Sequence, residues 1–212
     1  MKLYGYFRSS AVYRVRIALG LKGLDFDNVF VHLRRGDHLA PAYGQVNPQR
    51  LIPALADGTH VLTQSLAIIE YLDEAYPEPP LLPPDAVHRA RVRALALAVA
   101  CDIHPLNNLR VLGYLAETLG IDQAGRDAWY HHWITEGFNG IEGLLAESPL
   151  TGTYCHGEAP GLADVCLVPQ VGNARRFGLD LSPWPTILRI EEACQRLPAF
   201  DRARPENQPD AA

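Results

Sequence analysis

A chain of 212 residues, 48% hydrophobic and 20% charged, is long enough for one large or two small domains with their own cores, and has the balance of an ordinary globular protein. Its formal net charge of −5 excludes general attraction to nucleic acid or to an anionic membrane surface, so an anionic ligand needs cations gathered locally. No apolar run approaches the ~18 residues of a membrane span, and Met1 to Arg8 lacks the apolar core of a signal peptide, so the cytoplasm is the expected compartment.

Lys2 to Tyr6 has the aromatic character of a short strand. Ser9 or Ser10 then caps a helix whose apolar stripe is Val12, Val15, Ala18 and Leu19. Phe26 to Leu33 reads as a second strand, followed by a polar loop around Arg34 to His38. Asp57-Gly58 is a hairpin signal between Ala54-Leu55-Ala56 and His60-Val61-Leu62, and Gln64-Ser65 opens a helix carrying Leu66, Ile69, Tyr71 and Leu72. The order βαβ and then ββα matches a thioredoxin-like α/β domain. Glu78 to Pro84 holds four prolines in seven residues, an extended connection that no helix continues. It divides the chain into residues 1–82 and an all-helical domain over 83–212, with about five helices from Asp85 onward. The tail after Phe200, with Pro205 and Pro209 among charged neighbours, is expected to be poorly ordered.

The residues at the first helix start decide the chemistry. A thioredoxin-like redox protein needs a Cys-x-x-Cys pair there, but Ser9, Ser10, Ala11 and Val12 occupy the position, and the N-terminal domain contains no cysteine. Cys101, Cys155, Cys166 and Cys194 form no close-spaced pair of metal or redox type, and no metal is expected; they read as reduced, mostly buried side chains. The unpaired N–H groups and positive dipole end of the helix favour a bound anion such as a thiolate, and any such sulfur is borrowed from a small molecule. A plain N-cap role for both serines competes with this reading and is compatible with it.

Ser9-Ser10-Ala11-Val12-Tyr13-Arg14-Val15-Arg16-Ile17-Ala18-Leu19 resembles the zeta-class glutathione transferase pattern Ser-Ser-Cys-x-Trp-Arg-Val-Arg-Ile-Ala-Leu, with Ala11 replacing the Cys and Tyr13 the Trp. Other landmarks in family order extend the resemblance over nearly the whole chain. It implies a glutathione transferase fold, a homodimer and glutathione as cofactor, with Ser9 bonding the thiolate and Ser10 its neighbour. It also implies a cis bond at Ile52-Pro53 that presents the backbone of Ile52 to the tripeptide, although an ordinary trans proline at a strand start is the competing reading. Gln64-Ser65 would grip the γ-glutamyl end, or serve as a plain cap, and His38 would reach the glycyl carboxylate, or be an ordinary exposed loop histidine. Asp102, His104, Asn108 and Arg110, around the break at Pro105, would meet a partner subunit's glutathione; the alternative is a solvated polar turn.

Val165 to Phe177 is close to the zeta pattern and ends in Arg176. The implied activity is cis-to-trans isomerisation of a small dicarboxylate, maleylpyruvate or alternatively maleylacetoacetate, in gentisate-type aromatic catabolism. Arg8 and Arg176 are then the carboxylate clamps, with Arg110 third, because a guanidinium binds a carboxylate bidentately. Arg14, Arg16, Arg34, Arg35 and Arg175 are expected to be solvated or paired structurally. Two other function classes stay open: a broad transferase or α-haloacid dehalogenase, which differs in consuming glutathione, and a noncatalytic scaffold, which has no need of Ser9, Ser10, Gln64 or Ser65. Gly161, in place of the family's Ser or Thr three residues before Asp164, keeps a cap but removes the reciprocal side-chain bond.

Overall fold

A computed structural model describes residues 1–211. The chain divides into two units: Met1–Leu81 with the segment from Gln195 on, and Leu82–Cys194. The C-terminal segment, expected in the helical domain, groups with the first unit instead.

In the first unit β1 (Lys2–Gly5) leads into α1 (Ser10–Leu21) and then β2 (Asp27–Phe30), which pairs parallel to β1. A short helix, α2 (Pro41–Val46), precedes the antiparallel pair β3 (Ala54–Asp57) and β4 (His60–Thr63), and α3 (Ser65–Ala75) follows. The sheet order is β2-β1-β3-β4. Gly58, at φ +57, makes the hairpin turn between the paired Asp57 and His60, a conformation that favours glycine. Gly5 is small for another reason: a Cβ there would stand 2.5 Å from Val12 Cγ1, so its absence lets β1 lie close against α1. Leu3, Val15, Leu19, Leu55, Ile68 and Leu72 are fully buried, each worth about 1.5–3 kcal/mol relative to exposure.

Charged side chains that enter this core are met by carbonyls, hydroxyls or a carboxylate. Lys22 Nζ donates to Asp73 Oδ1 at 2.8 Å, to the Tyr76 carbonyl at 2.7 Å and to the Pro79 carbonyl at 2.9 Å. Arg14 and Arg16 are buried rather than solvated: Arg14 Nη1 donates to Ser65 Oγ, and Arg16 donates to the carbonyls of Ala203 and Phe7.

The second unit holds α4 (Ala86–Leu97), α5 (Leu109–Glu117), α6 (Gln123–Ala146), α7 (Leu162–Arg176) and α8 (Pro185–Gln195), the last ending on the first residue beyond the unit. Asp85 caps α4 by accepting from the N–H groups of Val87 and His88. A single π-helical stretch, Ala98–Ile103, carries α4 on to the break at Pro105. Phe138, Ile134, Ile141 and Ile103 are fully buried within the unit. The tail after Phe200, expected to be poorly ordered, is folded up to Ala211. The chain here forms α9 (Pro198–Ala203) and two 3₁₀ turns, Pro205–Asn207 and Pro209–Ala211, because prolines open each turn and distant side chains bind its backbone. Among the described residues no helix is long and apolar enough to cross a membrane, and no group of His, Cys, Asp and Glu could hold a metal ion.

Half of a capping box survives at α7. Asp164 Oδ2 accepts from Gly161 N–H at 2.9 Å, while Oδ1 accepts from Cys155 N–H at 2.8 Å. Burial pushes the Asp164 carboxyl up, and the two backbone donors oppose that shift. Replacing Asp164 with alanine leaves both donors buried without a partner, so it is expected to cost about 3 kcal/mol in urea unfolding. A loss below about 0.5 kcal/mol would show that water replaces the carboxylate there.

Three of the four thiols, Cys155, Cys166 and Cys194, are buried, and Cys101 is exposed. Burial, reinforced by Asp164, pushes the Cys155 and Cys194 thiols up, away from the reactive thiolate form.

Candidate active site

The start of α1 is built by Ser9. At φ −72 and ψ 115 it is extended, and its Oγ accepts from Val12 N–H at 3.3 Å, so Ser9 rather than Ser10 is the cap. Accepting that bond leaves the hydroxyl proton free to be donated. Ser9 N–H donates to the Tyr6 carbonyl and Tyr13 N–H to the Ser9 carbonyl, so backbone bonds hold the turn on both sides. Ser10, buried, is the first helical residue.

Ile52-Pro53 is cis, as the resemblance implied. The loop before it is fixed at Leu51, whose carbonyl accepts from Tyr43 Oη and from Asn47 Nδ2, both at 2.7 Å. Burial pushes the Tyr43 phenol up to about 12, with Asn47 opposing, so it stays a neutral donor. Neither residue was singled out in the sequence, although Asn47-Pro48 is a turn signal that marks the loop.

Gln64 stands at φ +69 and ψ 117, a conformation L residues rarely adopt, and its Nε2 donates to Gln49 Oε1 at 3.0 Å. Such strain persists where surrounding structure overdetermines it, and it collects at ligand clamps. Ser65 opens α3, and its hydroxyl accepts from Arg14 on α1, so the two helix starts are tied together. His38, in a 3₁₀ turn (Asp37–Leu39), has a buried Nδ1 with no partner among the described residues. Burial pulls its pKa down, against the Asp37 carboxylate, so the ring is neutral at pH 7 and can donate one hydrogen bond.

Arg8 is exposed and lines a cavity of about 630 Å³ with Phe7, His32, Arg34, Arg35 and Asp210. Arg34 and Arg35, expected to be solvated or structural, therefore add cations beside Arg8. Ser9, Pro53 and Gln64 do not line this cavity.

In the second unit, Asp102, His104, Asn108 and Arg110 do gather around Pro105. Asp102 is exposed in the π-helical stretch, His104 follows it, and Asn108 caps α5 with its Oδ1 accepting from Arg110 N–H at 3.1 Å. The Arg110 side chain is exposed. Arg176 ends α7, donates to Asn173 Oδ1 at 3.1 Å and lies over the Phe177 ring at 5.5 Å. Phe177 in turn stacks on Tyr130, with ring centroids 3.6 Å apart. Burial pushes the Tyr130 phenol up to about 12, and Arg176 opposes the shift by its charge and a hydrogen bond. Tyr130 and Phe177 were not singled out either; the aromatic run Tyr130-His131-His132-Trp133 was the available signal. Arg175 is structural as expected, paired with Glu191 at 2.8 Å.

This donor set suits a peptide-like anion with a thiol. The orphaned His38 Nδ1, the strained Gln64 at a helix start and the Ser9 hydroxyl proton are groups that glutathione can satisfy.

Residues 3–80 match the family described as glutathione S-transferase, N-terminal domain. The chain is 53% identical to a maleylpyruvate isomerase of Ralstonia sp, over all of both chains. It is also 53% identical to a probable maleylacetoacetate isomerase of Vibrio cholerae, over 99% of this chain and 97% of that protein. A holo structure of maleylpyruvate isomerase, described as a bacterial zeta-class glutathione S-transferase, superposes with a TM-score of 0.98 at 53% identity over both full chains. A maleylacetoacetate isomerase from Methylobacterium extorquens AM1, solved with malonate and glutathione, gives 0.97 at 42% identity, also over both full chains.

Proposed function

Because this chain belongs to the zeta class of the glutathione transferase family, we propose that it is a glutathione-dependent cis-trans isomerase converting maleylpyruvate to fumarylpyruvate in gentisate-type aromatic catabolism. The observation that carries the reading is a helix start capped by Ser9, with a donatable hydroxyl proton, in a unit that has no cysteine of its own.

Ser9, Ser10, His38, Ile52, Pro53, Gln64 and Ser65 would hold glutathione, joined by Asp102, His104, Asn108 and Arg110 from a partner subunit. When bound, glutathione supplies a thiolate that adds reversibly to the conjugated cis double bond, leaving a single bond free to rotate. The Ser9 proton and the α1 dipole favour the anionic over the neutral sulfur, and each unit of pKa lowering is worth about 1.4 kcal/mol. Arg8 and Arg176 bind the two substrate carboxylates and offset charge developing on the keto oxygen, with Arg110 third. Arg34 and Arg35 strengthen the field at the Arg8 end.

The same reading carries a cytoplasmic homodimer. Maleylacetoacetate remains the alternative substrate, since relatives of equal identity carry both names.

The test is an ultraviolet assay of both cis diketo acids with and without glutathione. Conversion is expected only with the thiol present, with glutathione recovered unchanged. Full conversion after dialysis of all low-molecular-weight thiol would overturn the reading, and stoichiometric consumption of glutathione would reassign the protein as a transferase or dehalogenase.

A further inference from the structure

The Phe7 peptide, immediately before Arg8 and Ser9, is held from both sides by residues outside its own loop. Its N–H donates to Asp210 Oδ2 at 3.0 Å, and its carbonyl accepts from Arg16 Nη2 at 3.1 Å. Arg16, 5% exposed on α1, gives its Nε to the Ala203 carbonyl at 3.0 Å. Burial pulls its pKa down to about 10, opposed first by the Asp210 carboxylate, so the guanidinium is charged at neutral pH. Tyr13 Oη donates to the Phe200 carbonyl, so the last turns of the chain run along α1 and end on the residue that precedes Arg8.

Fixing both the N–H and the carbonyl of one residue fixes its φ and ψ, and with them the direction in which the next residues leave. A hydrogen bond at Phe7 therefore sets the backbone path into Arg8 and Ser9, and with it the points from which their side chains leave. We propose that Asp210 is a positioning residue of the isomerase site, acting through the Phe7 peptide, which makes the C-terminal segment part of the catalytic architecture. This rests on the roles given above to Ser9 and Arg8. Asp210 also lines the Arg8 cavity, so its charge alone is the competing explanation. The substitution D210N separates the two, because the oxygen of the introduced amide still accepts from Phe7 N–H while the charge is gone.

The test compares D210A, D210N and a chain ending at Gln208, by kcat with maleylpyruvate and by the pH titration of the bound thiol in the ultraviolet. Displacement of catalytic groups without loss of fold is expected to lower kcat ~5-fold or more in D210A and in the shortened chain, and to raise the bound thiol's pKa. D210N is expected to stay within about twofold of the parent in kcat, with an unshifted titration. Parental kcat and titration in either D210A or the shortened chain would overturn the inference, as would equal losses in D210A and D210N. If D210A fails to fold, the shortened chain and D210N decide it. Absence of any glutathione dependence in the parent enzyme would sink the functional reading instead.

Discussion

Replacing Ser9 with alanine is expected to lower kcat for maleylpyruvate by about 10²-fold, the cost of removing one fixed donor from a site of developing charge. Two effects add. The bound thiol loses a hydrogen bond to its ionised form, so its pKa rises and less thiolate is present at neutral pH. The first turn of α1 also loses the bond from Val12 N–H, which costs about 1 kcal/mol of stability. Ser9→Asp separates them, because aspartate caps a helix as well as serine but sets a negative charge against the sulfur. It should melt within a few degrees of the parent and yet lose as much activity as Ser9→Ala. The measurements are kcat, the pH titration of the bound thiol and a calorimetric melt. Parental turnover in Ser9→Ala would transfer the role to backbone amides or to Ser10.

Arg176→Ala is expected to lower kcat/KM for the diketo acid about 10- to 100-fold, the 1.5–3 kcal/mol of a charge-assisted hydrogen bond. The affinity for glutathione is expected to change less than about twofold, a thermodynamic contrast accessible to calorimetric titration. The guanidinium is held in place locally. Arg176 ends its helix with the guanidinium exposed, steadied by Asn173 and by the aromatic stack of Phe177 on Tyr130. Lysine at 176 keeps the charge and loses the planar fork, so it should recover only part of the loss. Equal losses towards glutathione and substrate would show that Arg176 supports the fold or the cofactor.

The first strand, its helix and the hairpin were legible because each carries a local signal: a cap before a 3.6-residue stripe, or Asp57-Gly58 between alternating residues. Helix α2 was missed, since six residues with Tyr43 as their buried side chain have no periodicity to read. Arg14 and Arg16 were read as solvated or structurally paired, and they prove buried and paired; what pairs them, Ser65 and the carbonyls of Ala203 and Phe7, is not adjacent in the chain. The ordered segment up to Ala211 was missed for the same reason, because the groups that bind it lie 187 to 203 positions earlier. Near the candidate site, the cap at Ser9 or Ser10 was legible from the helix signal, whereas the cis Ile52-Pro53 bond followed only from the resemblance. The strain at Gln64 and the double grip on the Leu51 carbonyl are properties of the folded loop.

The distribution of thiols has a chemical consequence for durability. A cysteine built into a catalytic helix start and oxidised to the sulfinic state condemns the chain that carries it, because that state is not reversed by ordinary thiols. Here the helix start has no sulfur, and three of the four cysteines are shut away in the helical unit. A nucleophile damaged by peroxide can leave and be exchanged for a fresh tripeptide, so injury at the reacting atom is repaired by dissociation.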